Sequence, residues 1–150
     1  SNTPRTRLLE LSEWRRQFQG VSWMRKRLRP ITPEQSRRLT EFAYLVADKP
    51  FNLAKLAGQM TPLRARGPIR TFFLGKPRGP GHGYFCAELV MEALVYAGLQ
   101  PAATTRPAAT YPRDMFFDRS INLYINKHLH LERDWENPRW WTRGYFIVSP

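Results

Sequence analysis

One thiol and three imidazoles give this chain its plainest set of nucleophile and base: Cys86, His82, His128 and His130. A thiolate attacks a carbonyl carbon, and an imidazole within hydrogen-bond reach takes the thiol proton and returns it to the leaving group. Cys86 lies in "GPGHGYFCAELVMEALVYAGL", residues 79 to 99, where a glycine-rich loop gives way to an apolar helical pattern. His82 is four residues before it. His128 and His130 alternate in "NKHLHLE", so on a strand both would face one way, beside Glu132. Two His at this spacing make half a metal site, and no third ligand cluster accompanies them. The competing reading of Cys86 is a buried structural residue, since free cysteine is among the most buried types.

The element that must position the sulfur is a helix over Cys86–Ala97, closed by Gly98 as a C-terminal cap. At 100° per residue, Val90, Ala93 and Ala97 fall within ~40° of Cys86, and their small size predicts close packing on that face. Glu88 and Glu92 lie ~200 to 240° away and are expected on the side that meets water or a cation. Unpaired N–H groups and the positive dipole end at the first turn favour a thiolate and can hold an oxyanion. Gly79, Gly81 and Gly83 allow a tight approach with unusual backbone angles.

Other elements are read from local signals. "TRLLELSEWRRQFQ" predicts a short amphipathic helix over residues 6 to 19, ending at Gly20. "VSWMRKRL" (21 to 28) predicts a strand. In "ITPEQSRRLTEFAYLVADKP", Thr32 is an N-cap, Pro33 the first helical residue and Gln35 the partner in a capping box. Leu39, Phe42, Ala43, Val46 and Ala47 then form the apolar stripe. "FNLAKLAGQM" predicts a second short helix, "IRTFFL" a strand, "PAATTRPAATYP" a loop and "PRDMFF" a helical turn. The tail from Ile121 onward mixes extended pieces with Trp135, Trp140 and Trp141.

The segment "YFCAELVMEALVYAGL" resembles the "Y-x-C-S-E-L-V…A…A-G" stretch of the YiiX-like branch of the NlpC-type, circularly permuted papain-like superfamily, to which the lecithin:retinol acyltransferase family is related. "ATYPRDMF" resembles the "x-x-P-x-D-L" stretch that follows there, and "PITPEQSRRLTEFAYLVADKPFNL" is similar to the helix before it. The likeness spans about residues 30 to 118. It implies an α+β, papain-like fold: one permuted papain-like domain over 1–150, its Cys helix packed on a small antiparallel sheet that carries the His. It implies Cys86 as nucleophile and Glu88 as a structural carboxylate, and it sets Tyr84, Phe85 and Ala87 at the substrate. The activity implied is that of a cysteine hydrolase or acyltransferase, working on an amide or ester bond of a cell-wall peptide or lipid through a thioacyl intermediate, without cofactor or metal.

The family's upstream "H-(V/A)-G-I" segment has no counterpart before residue 82. Three explanations stand side by side. The base lies on a missing N-terminal segment or a partner chain; it is His82, His128 or His130; or the chain is a non-catalytic relative.

The balance of charge opens a different class. There are 24 Lys and Arg against 12 Asp and Glu, mostly Arg, for a net +12. Such an imbalance draws anionic partners. "WMRKRLR" (23 to 29) and the basic run between Arg64 and Arg78 fit a module that binds nucleic acid or an anionic membrane surface. The single cysteine rules out an internal disulfide. No signal peptide or membrane-spanning stretch is visible, and the compartment stays open.

Overall fold

A computed structural model describes residues 4–18, 20, 22–52, 54, 57, 67–81, 83–129, 131, 133–142 and 145–147. The chain forms two compact units, one of Ser1–Arg7 with Ile31–His130, the other of Leu8–Pro30 with Leu131–Pro150.

The larger unit is helical. Helix α2 (Pro33–Val46) begins where its capping signals sit. Thr32 Oγ1 accepts from the Gln35 N–H at 3.2 Å, and Gln35 Oε1 accepts from the Thr32 N–H at 3.0 Å. The stripe turns inward as its period requires, with Phe42 and Val46 buried and Leu39, Ala43 and Ala47 half-buried. It packs on α3 (Cys86–Tyr96) through a cluster of Phe42, Val46 and Tyr84, joined by Leu89, Ala93 and Tyr96. The Phe42 ring lies 5.5 Å from that of Tyr96 and 6.2 Å from that of Tyr84.

Gly98 closes α3 with φ +70°. The Leu99 N–H reaches Leu94 O at 2.8 Å and the Gly98 N–H reaches Val95 O at 2.9 Å, a Schellman cap. A short 3₁₀ turn (Pro107–Ala109) leads to α4 (Pro112–Phe117) and α5 (Leu123–His128). Asn122 caps α5 through the Tyr124 and Ile125 N–H groups, and its amide donates to buried Thr71 Oγ1 at 2.9 Å.

Two local expectations are corrected here. "IRTFFL" is not a strand but contains a π-helical turn over Arg70–Leu74. Aromatic and β-branched residues favour strands only where a neighbour pairs with them, and here Thr71 is instead drawn into the interior by Asn122. "NLYINKH" is likewise helical, because the Asn122 cap starts a turn that outweighs the alternating pattern.

The smaller unit holds α1 (Leu11–Gln17), β1 (Ser22–Met24), β2 (Arg139–Thr142) and β3 (Tyr145–Ile147). The strands form one antiparallel sheet in the order β1-β2-β3. Ser22 faces Trp141 and Met24 faces Arg139; Trp141 also faces Phe146. A bridge between Arg27 and Trp135 extends the pairing. Helix α1 is shorter than expected: Glu10 gives its first turn no side-chain cap, and Leu8, Leu9 and Leu11 are exposed.

The α+β, papain-like expectation does not hold. That fold needs a sheet under the cysteine helix, and among the described residues the unit carrying Cys86 has no strand, only an isolated bridge between Arg5 and Pro50. The three strands belong to the other unit and carry none of the three histidines. Helix α3 buries its apolar surface against α2 and the segment around the 3₁₀ turn, and the place of the sheet is taken by helices.

Candidate functional site

Cys86 is the first residue of α3 and its side chain is exposed. The helix behind it is turned the opposite way from the expectation. Glu88 and Glu92, expected toward water, are 1% and 2% exposed, whereas Val90, on the Cys86 side, is 45% exposed. Ala97, also on that side, is buried at the far end.

The loop explains the turn. Glu92 Oε1 accepts from the Arg78 N–H at 2.8 Å, and Oε2 from the Gly79 N–H at 3.1 Å. Glu88 Oε2 accepts from the Phe85 N–H at 3.4 Å, the N-terminal arm of the helix start. A buried carboxylate is costly unless hydrogen-bonded, and backbone donors of the glycine loop supply those bonds. The two carboxylates therefore act as anchors for the chain that delivers Cys86.

The glycines are used as their lack of a side chain allows. Gly79 and Gly81 have φ of +72° and +122°. At Gly83 a Cβ would come within 2.9 Å of the Pro50 carbonyl oxygen. The Tyr84 hydroxyl donates to Gly79 O, and Tyr84 O accepts from the Asn52 N–H at 3.1 Å.

Tyr84, Phe85 and Ala87, the expected substrate neighbours, are all buried, at 2%, 2% and 3% exposure. Their side chains serve the interior, and Cys86 is the exposed residue among them. Phe85 offers the first turn of the helix no side-chain cap.

His82 and His130 lie outside the described residues. His128 ends α5, half-buried, with its ring 4.5 Å from that of Tyr124. It lines a small cavity with Met91 and Gln100, further along and beyond α3, and Cys86 is not one of the residues around that cavity. Among the described residues no group of three or more His, Cys, Asp or Glu could hold a metal ion.

Of the basic stretches, Arg25 donates to Glu136 O at 3.0 Å, and Arg29 pairs loosely with Asp134 at 3.8 Å, both within the smaller unit. Lys76 and Arg78 are exposed, while Arg64 and Arg66 lie outside the described residues. A second concave surface escaped the sequence reading. Arg113, Phe117, Arg119 and Ile121 surround a cavity of about 580 Å³. The Arg113 guanidinium sits 5.8 Å from the Phe117 ring centroid. These residues come from a short helix and the one loop after it, which give no periodic signal. No family model, curated protein or solved structure matches this chain.

Proposed function

We propose that this protein performs thiol-dependent acyl chemistry, as a hydrolase or acyltransferase at an amide or ester carbonyl, with Cys86 as nucleophile. The observation that carries the reading is the exposed sulfur at the first position of an eleven-residue helix. Sulfur attacks the carbonyl carbon, and the oxyanion is met by first-turn N–H groups. The bond to the amine or alcohol breaks, and that group leaves with the proton the base took from the thiol. Water or a second acceptor then opens the thioester. His82, four residues away in the chain, is the imidazole nearest to Cys86 in sequence, with His128 and His130 as the other candidates for the base.

The test is acylation by an activated ester, followed by mass. A burst that adds one acyl group to Cys86, turns over, and vanishes in Cys86→Ser supports the reading. Equal rates for the wild type and Cys86→Ala would overturn it. Replacing each histidine in turn by Asn identifies the base, through loss of the burst and of the pH dependence of iodoacetamide labelling.

A second reading, a basic module that docks on an anionic membrane surface, rests on the Arg113–Arg119 cavity. Phe117 and Ile121 are 62% and 67% exposed beside two guanidinium groups, while the one carboxylate there, Asp114, is buried and accepts from the Tyr111 N–H at 3.0 Å. Aliphatic and aromatic groups rimmed by cations suit a headgroup layer better than a nucleic acid. Sedimentation with phosphatidylserine vesicles but not phosphatidylcholine vesicles, lost in Arg113→Glu/Arg119→Glu, supports it. Equal sedimentation with both, or salt-sensitive retention on oligonucleotides alone, counts against it.

A further inference from the structure

Arg106 is only 6% exposed, and no carboxylate of the described residues pairs with it. Its Nη1 donates to two carbonyls, Ala103 O at 2.9 Å and Thr105 O at 2.7 Å. The guanidinium carbon lies 5.0 Å from the centre of the Tyr124 ring. Its Nε is buried and has no hydrogen-bond partner.

A guanidinium cannot shed its proton to escape the cost of burial, so the charge stays and asks for compensation. Carbonyl dipoles and a ring face compensate in part, and a free Nε–H is the remaining demand. Arg106 lines a cavity of about 10 Å³, together with Gln100, Thr104, Thr105, Thr110 and His128 and with the apolar Met91, Ile125 and Leu129. None of the residues around this cavity is acidic. Two of the hydroxyls are already committed as donors, Thr105 Oγ1 to Pro101 O at 2.7 Å and Thr110 Oγ1 to Arg106 O at 2.9 Å. Those bonds fix the turn that holds the guanidinium in place. The volume admits about one water-sized sphere.

We propose that this cavity is a site for a small anion: a halide, or one oxygen of a carboxylate or phosphate whose remainder stays at the mouth. The Arg106 Nε–H supplies the central bond, and the Gln100 amide and the His128 ring stand at the same wall. The site is independent of Cys86 and of the acyl chemistry proposed above.

The experiment uses the intact chain. Unfolding midpoints are followed while sodium bromide, sodium acetate and sodium phosphate are titrated separately at constant ionic strength, with gluconate as the balancing salt. Bromide-soaked crystals are examined for anomalous density at Arg106 Nε. The expected result is saturable stabilisation, with the unfolding constant falling roughly 100-fold at a hundred times Kd. A bromide response identifies a monatomic site; a response to acetate or phosphate alone identifies an oxygen site. In Arg106→Lys, which keeps the charge but not the Nε–H, and in Gln100→Met, affinity drops by an order of magnitude or more. If no anion gives a saturable response and the cavity shows no anomalous peak, water satisfies Nε and the proposal fails. If either variant fails to fold, the wild-type titration and the bromide density still decide.

Discussion

The buried carboxylate of Glu92 holds the backbone N–H of Arg78 at 2.8 Å, joining the middle of the cysteine helix to the start of the glycine loop. A second bond to the Gly79 N–H makes the grip bidentate. Glu92→Gln keeps the size but replaces one acceptor oxygen with a donor, which then faces a backbone donor. Charge-assisted bonds of this kind and the cost of an unsatisfied group predict a loss of about 2 to 3 kcal/mol. Urea denaturation measures it. A change within 0.5 kcal/mol would show that the loop does not depend on this carboxylate.

Phe42 joins α2 to α3 by contact with the rings of Tyr84 and Tyr96. Phe42→Ala removes most of a fully buried ring and predicts about 3 to 5 kcal/mol of destabilisation. Exposed Tyr44, two residues along, predicts a change near zero on the same substitution. The contrast between the two variants, read by thermal unfolding, checks that α2 presents the described face.

Thr32→Ala removes the acceptor for the Gln35 N–H and predicts a loss of about 1 kcal/mol. Thr32→Ser restores most of it. Equal midpoints for all three proteins would mean that the cap contributes nothing.

Hydrogen bonds from Arg37, and next from Arg38, hold the Glu34 carboxyl down to about 2, against an ordinary 4.5. A lowered folded-state value means that the contribution is present above the ordinary value and is lost as pH falls from 4.5 through 2. All three side chains are well exposed, so the effect is small and is screened by salt. Glu34→Gln should flatten the stability profile slightly in that window at low salt and leave it unchanged at high salt. A profile unaltered at low salt would contradict this.

Features signalled by neighbours in the sequence were the ones that could be read directly. Thr32, Pro33 and Gln35 start α2 because a cap acts over three residues, and Gly98 ends α3 for the same reason. Cys86 was legible as the head of that helix. The orientation of α3 was not, because Glu88 and Glu92 find partners on backbone atoms, which carry no residue code. "IRTFFL" and "NLYINKH" are helical because strand-like composition says nothing about whether a pairing strand exists. Trp140 and Trp141 found their partner at Ser22 and Trp23, more than a hundred residues away in the chain, beyond any local pattern. Arg106, alone among Pro, Ala and Thr, gave no warning that it would be buried.

The bidentate grip on Arg78 and Gly79 has a consequence for nicking. Trypsin cuts after basic residues in chain that it can draw out into an extended register, and glycine-rich basic loops are usual targets. Here the amides of both residues at the Arg78–Gly79 bond already belong to Glu92, and Gly79 O belongs to Tyr84. Digestion should therefore spare this bond while other exposed arginines are cut, and the peptide that survives longest should run through it into the cysteine helix.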